Sequence, residues 1–141
     1  MDFRTQLKSS NLSVTPVRLA IHESLVQKSH IEASQIFQIV QEKIQTTSIQ
    51  AIYKNLNILV KHGLIREIKP KGMASLYEMR VGDNHHHLIC RACDTILDTD
   101  CLDTAPCLTS TNPRGFVIDE AEIIFWGLCP KCQSSNKGDS L

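Results

Sequence analysis

Long apolar runs, net charge and internal repeats are all missing from this sequence. No stretch approaches the ~20 consecutive apolar residues of a membrane span, and "MDFRTQLKSSNLS" lacks the basic-then-apolar layout of a signal peptide. The expected address is therefore the cytoplasm, with no membrane partner. Six cysteines in that reducing compartment point to metal before disulfide. The missing net charge hides an asymmetry: residues 1–80 hold 11 Lys/Arg against 6 Asp/Glu, and residues 81–141 hold 4 against 9. The basic half suits a polyanion, and the acidic half, which carries all the cysteines and a run of three of the six histidines, suits metal. With 141 residues, 42% of them apolar, the chain can build one large or two small cores.

The first half alternates helix signals with turns. In "SVTPVRLAIHESLVQKS" Thr15 is placed to cap, Pro16 takes the first helical position, and Val17, Ile21 and Leu25 share a face. Ser34 can cap "QIFQIVQEKI", with Ile36, Val40 and Ile44 inward. A third helix, "SIQAIYKNLNILVKHG", turns Ile49, Ile52, Leu56, Leu59 and Val60 inward and stops at Gly63. The period then changes to two in "LIREI" and "ASLYEMR", around a "KPKG" turn, which predicts a hairpin. Three helices and a hairpin make a winged helix, whose third helix enters the major groove. Its outer face carries Gln50, Tyr53, Lys54, Asn55 and Lys61, side chains able to bond phosphates or base edges.

The second half differs in kind. "HHLIC", "TILD", "GFVID" and "EIIFWGLC" read as short strands, residues 100–115 as largely irregular, and "QSSNKGDSL" as a frayed tail. The expected fold class is α+β: a winged-helix domain over 1–80, a hinge at 81–84, a small strand-rich zinc-binding and dimerisation domain over 85–133, and a flexible tail over 134–141.

Cys90-x-x-Cys93 and Cys129-x-x-Cys132 are the strongest signal. Two pairs in tight turns complete a tetrahedral shell of four thiolates with no open position, the donor set of structural zinc. Cys101 and Cys107 lack a short-spaced partner. A second constellation is His85, His87 and Asp98, with Glu78 and His30 as possible additions. On a strand His85 and His87 point one way and His86 the other. Imidazole and carboxylate suit zinc, iron, manganese, nickel or cobalt. Two histidines and a carboxylate also match the facial triad of non-haem iron oxygenases, but the short second half leaves no room for a substrate pocket. A metal store would leave the basic half unexplained.

With these residues in view, "HHHLICRAC", Asp98 and "GLCPKC" behind "VTPVR", "HIEASQIF" and "AIYKNLNILVKHGLIREI" resemble the ferric uptake regulator family over residues 10–133. The similarity is greatest to its peroxide-sensing branch, which controls catalase genes. The resemblance implies no enzyme and no organic substrate. It implies a homodimeric repressor on a palindromic operator in double-stranded DNA, with structural Zn2+ on the four cysteines. It also implies regulatory Fe2+ or Mn2+ on His30, Glu78, His85, His87 and Asp98, and adds Arg18 of "VTPVR" to the DNA contacts Gln50, Tyr53, Lys54 and Asn55. In that family an aspartate at position 98 goes with peroxide sensing and a glutamate with plain iron or zinc uptake control. Ala51 and Lys54 replace the usual Thr and Arg around Tyr53, and Ala121 stands where many iron regulators carry a further histidine ligand. The stretch after Cys101 replaces a long dimerisation helix. As a loop residue, His30 is expected to contribute little to packing.

Overall fold

The computed structural model describes residues 2–79, 85–100, 112–118 and 121–135. It divides into two compact units, Met1–Val81 and Gly82–Leu141. The 81–84 hinge, Cys101, Cys107 and positions 136–141 lie outside the described residues.

The first unit opens with a helix that hydrophobic periodicity misses. In α1 (Phe3–Ser9) Asp2 accepts the Thr5 N–H at 2.8 Å, and Phe3 and Leu7 are buried one turn apart. Next, α2 (Pro16–Gln27) starts as expected, Thr15 Oγ1 accepting the Arg18 N–H at 3.3 Å with Pro16 at the first position. The two-residue strand β1 (Ile31–Glu32) leads into α3 (Ala33–Lys43). That helix is capped by Glu32 instead of Ser34: the Glu32 N–H donates to Gln35 Oε1 at 2.9 Å, and Ser34 falls inside the first turn. The recognition-type helix α4 (Ile49–Lys61) is capped by Ser48, whose Oγ accepts the Ala51 N–H at 3.1 Å. It ends at Gly63, whose φ of +70° is open to glycine at little cost.

β2 (Arg66–Ile68) and β3 (Leu76–Glu78) pair antiparallel as expected. β1 joins the other edge of β3, so the wing is a three-stranded sheet, β1-β3-β2, in place of a hairpin. Ile21, Leu25, Ile36, Val40, Ile52, Leu56, Leu59 and Ile65 fill the core between the helices and this sheet. Each such side chain contributes about 1.5–3 kcal/mol of transfer free energy. Because Ile52, Leu56 and Leu59 are buried on one side of α4, its other side faces outward with Gln50, Tyr53 and Lys54 exposed.

In the second unit β4 (His85–Cys90) is central, antiparallel to β5 (Ile96–Asp100) and parallel to β6 (Ile124–Gly127), in the order β5-β4-β6. "GFVID" departs from expectation: residues 112–118 contain no strand, Phe116 is 77% and Val117 96% exposed, and Arg114 and Gly115 both have positive φ. Two successive left-handed residues turn the chain out of an extended ladder. "CPKC" also differs, since α5 (Pro130–Ser135) begins at its proline and carries Cys132 on a helix where a turn and then a frayed tail were expected.

Candidate metal centres and DNA-binding face

The knuckle at the end of β4 is built by backbone bonds. Cys90 N–H donates to Thr95 O at 2.9 Å and Asp94 N–H to Cys90 O at 3.0 Å, a reversal closed by Asp94 in the left-handed region. Across the sheet, Arg91 N–H donates to Gly127 O at 2.8 Å, which brings the start of α5 alongside. The sulfurs of Cys90, Cys93, Cys129 and Cys132 therefore lie within 4.8 Å of one another. A tetrahedral ion with Zn–S of about 2.3 Å needs sulfurs about 3.8 Å apart. The Cys93 and Cys129 sulfurs are 3.8 Å apart, so the thiols fit zinc.

Their electrostatics agree with that fit. The Cys129 N–H donates to Cys90 Sγ at 3.4 Å and, with the Cys93 N–H, draws the Cys90 thiol down to about 6. The Thr95 hydroxyl, 2.9 Å from Cys93 Sγ, lowers that thiol as well. Cys132 is pushed up to about 12 by the sulfurs of Cys129 and Cys93, because one more negative charge among thiolates is opposed until a cation arrives. Thr95 was not picked out from the sequence; a hydroxyl residue two positions past a Cys-x-x-Cys is too common to mark a site.

A second donor set sits on the same sheet. Register pairs His87 with Asp98, and the Asp98 carboxylate lies 3.4 Å from His87 Nε2 and 3.9 Å from His85 Nε2. The two rings meet edge to face, their centroids 4.9 Å apart, so both imidazoles converge on one carboxylate as strand alternation requires. His86 takes the other face, as alternation requires, and is buried there. In the first unit, His30 Nε2 donates to Glu78 Oε2 at 2.7 Å, with side chains 7% and 1% exposed. His30 has φ +59°, a strained conformation for a side-chain-bearing residue, and its N–H is held by Tyr77 O at 3.0 Å. It is thus a buried, bonded group and not the lightly packed loop residue expected. Nitrogen and carboxylate donors of this kind suit a first-row transition metal.

On the first unit's outer face Gln50, Tyr53 and Lys54 are exposed, as a DNA-reading helix needs. Arg18 and Asn55 are half-buried and bond each other, Arg18 Nε donating to Asn55 Oδ1 at 3.0 Å.

Thiolate and imidazole-carboxylate donor sets, on a chain whose other unit is a winged helix, are the parts of a metal-dependent transcriptional regulator, and family membership places the chain among such regulators and not among enzymes. The chain belongs to the ferric uptake regulator family, whose pattern it matches over residues 9–123. It is 44% identical over 140 residues to the transcriptional regulator FurA of Mycobacterium tuberculosis, covering 99% of this chain and 95% of that one. Identity to the peroxide operon regulator of Bacillus subtilis is 30% over 129 residues, covering 89% and 88%. The ferric uptake regulator of Helicobacter pylori shares the fold at a TM-score of 0.70 and 20% identity, covering 94% and 90%. Proteins of this family are DNA-binding dimeric regulators that use metals. Among the described residues, no helix is long and apolar enough to cross a membrane.

Proposed function

We propose that this protein is a metal-dependent repressor of oxidative-stress genes in the cytoplasm, binding a palindromic operator as a homodimer and released from it by peroxide. Residues 1–80 dock on DNA through α4, residues 85–133 hold metal and dimerise, and residues 81–84 act as the hinge. Zinc on Cys90, Cys93, Cys129 and Cys132 is structural. His30, Glu78, His85, His87 and Asp98 take the regulatory iron or manganese.

The observation that carries the reading is the division of donors. His30 and Glu78 supply two donors from one unit, and His85, His87 and Asp98 supply three from the other. Neither set fills the shell of an octahedral metal. One ion drawing on both sets restrains the hinge, and so the spacing of the two α4 helices in a dimer. A shift from 1:99 to 99:1 in favour of the DNA-binding arrangement needs about 5.5 kcal/mol of differential metal affinity, which five ligands can supply.

When bound, ferrous iron would supply the electron that opens the O–O bond of peroxide and would regain it from the imidazole, which manganese does much less readily; overall one peroxide oxygen replaces a ring C–H by C–OH and the other leaves as water. The chain contributes the oxidisable group: the imidazoles of His30 and His85 are the expected acceptors of oxygen, and an oxidised ligand no longer restrains the hinge. The four thiolates, closed around zinc, offer no open position and react more slowly. Asp98 in place of glutamate supports peroxide sensing over plain uptake control.

The test loads the purified protein with iron or manganese and adds stoichiometric peroxide. Oxidised peptides are mapped by mass while DNA release is followed. The iron form should lose DNA and gain oxygen on His30 or His85. Equal release from the manganese form, or oxidation confined to cysteine, overturns the peroxide mechanism and leaves an iron- or zinc-uptake regulator, which uses the same residues without oxidative inactivation.

A further inference from the structure

On the DNA-facing side of α4, Asn55 looks by position like a base reader. To read adenine, an asparagine needs both its carboxamide oxygen and its nitrogen. Both are committed. Asn55 Oδ1 accepts from Arg18 Nε at 3.0 Å, and Asn55 Nδ2 donates to Ala51 O, one turn back on α4, at 2.8 Å. Arg18 has a second anchor, Nη1 donating to Ser13 O at 2.8 Å. Two bonds on different nitrogens fix the plane of a guanidinium. Of its five N–H donors, three keep no partner among the described residues.

We infer that Asn55 is a positioning residue, and that it holds Arg18 beside α4 as a pre-aimed fork for a backbone phosphate of the DNA that α4 enters. The inference rests on the DNA-binding reading given above. A planar fork with parallel donors suits a phosphate, and an arginine already immobilised in the free protein loses less side-chain freedom on binding. The link spans 37 residues of sequence and ties the first turn of α2 to the middle of α4. One phosphate contact is thereby kept in register with the reading helix, while Gln50, Tyr53 and Lys54 stay exposed to reach the groove.

The experiment selects duplexes from a pool with a random core, using the manganese-loaded wild type. Affinity for the selected duplex and its single-base variants is then measured for wild type, Asn55→Ala, Arg18→Ala and the double variant across a salt series, with a thermal melt of each. Arg18→Ala should lower the salt slope by about 0.9. Asn55→Ala should weaken every duplex by the same factor, about tenfold, leave the preferred sequence unchanged, and add nothing to Arg18→Ala in the double variant. Loss of preference at one base pair per half-site, or additive effects, overturns the inference and makes Asn55 a base reader. A wild type that enriches no sequence overturns the DNA-binding reading along with it.

Discussion

Replacing His30 should separate its two duties. Its Nε2–H bonds the carboxylate of Glu78, a side chain 1% exposed, at 2.7 Å. His30→Ala leaves that buried carboxylate short of its imidazole, at a cost of about 2–4 kcal/mol. In a unit of this size the metal-free protein should therefore melt lower by roughly 8 °C or more. The backbone gives an internal control, because His30 sits at φ +59°. Alanine keeps that strain, whereas glycine relieves about 1–2 kcal/mol of it and gives back about 0.5–1 through its larger unfolded-state entropy. His30→Gly should thus be more stable than His30→Ala by about 0.5 kcal/mol. Neither variant carries an imidazole, so both should lose the metal stimulation of DNA binding to the same degree. The assays are urea unfolding with metal chelated, and DNA binding with and without manganese. An Ala variant as stable as wild type would refute the buried-pair argument. Metal stimulation that recovers with stability in the Gly variant would show that His30 acts through the fold and not as a ligand.

Other outcomes follow from the same geometry. Cys90→Ser leaves three thiolates and should cost zinc together with folding or dimerisation, read by metal content and gel filtration; a zinc-free variant with an unaltered melt would sink the structural role. Zinc uptake at pH 7.5 should release at most three protons, since Cys90, drawn to about 6, is already ionised there while Cys132, near 12, must give its proton up. Zinc affinity therefore falls as pH is lowered, and calorimetry in two buffers counts the protons; four would contradict the knuckle's electrostatics. Lys54→Ala should weaken binding across all duplexes and lower the salt slope by about one, and unchanged affinity would place the interface elsewhere. Leu56→Ala, at a fully buried position of α4, should destabilise by about 2–5 kcal/mol in a denaturant titration.

How far these features could be read from the sequence depended on the range of the interaction that makes them. The cap Thr15 and the buried stripes of α2, α3 and α4 come from neighbours within one or two turns, and the string shows them. The seven-residue α1 and two-residue β1 are too short to establish a period, and β1 exists only because β3 offers it an edge. "GFVID" has the alternation of a strand without a ladder partner in the described residues, which is why alternation alone misled. The Cys129-x-x-Cys132 pair is expected in a tight turn, but its Pro130 is equally at home at the first position of a helix and starts α5 there.

The metal donors divide along the same line. Cys-x-x-Cys converges by local turn geometry and His-x-His by strand alternation, so both were legible from spacing. His30 and Glu78, 48 positions apart in sequence, meet only because β1 and β3 pair and Tyr77 O holds the His30 N–H. The sequence offers them only as possible additions to the histidine and aspartate constellation, and resemblance to a family is what implies them as ligands. Resemblance names a ligand without saying what else the residue does. His30 is strained, buried and bonded to a carboxylate, so in this chain a proposed metal ligand also bears on the stability of the first unit. On the proposed mechanism, an oxygen added to His30 removes a proposed ligand and also disturbs the partner of the buried Glu78 carboxyl, so damage there should loosen the first unit as well as free the hinge. An oxidised iron form whose first unit melts at the temperature of the unoxidised apo protein would limit the effect to the ligand alone.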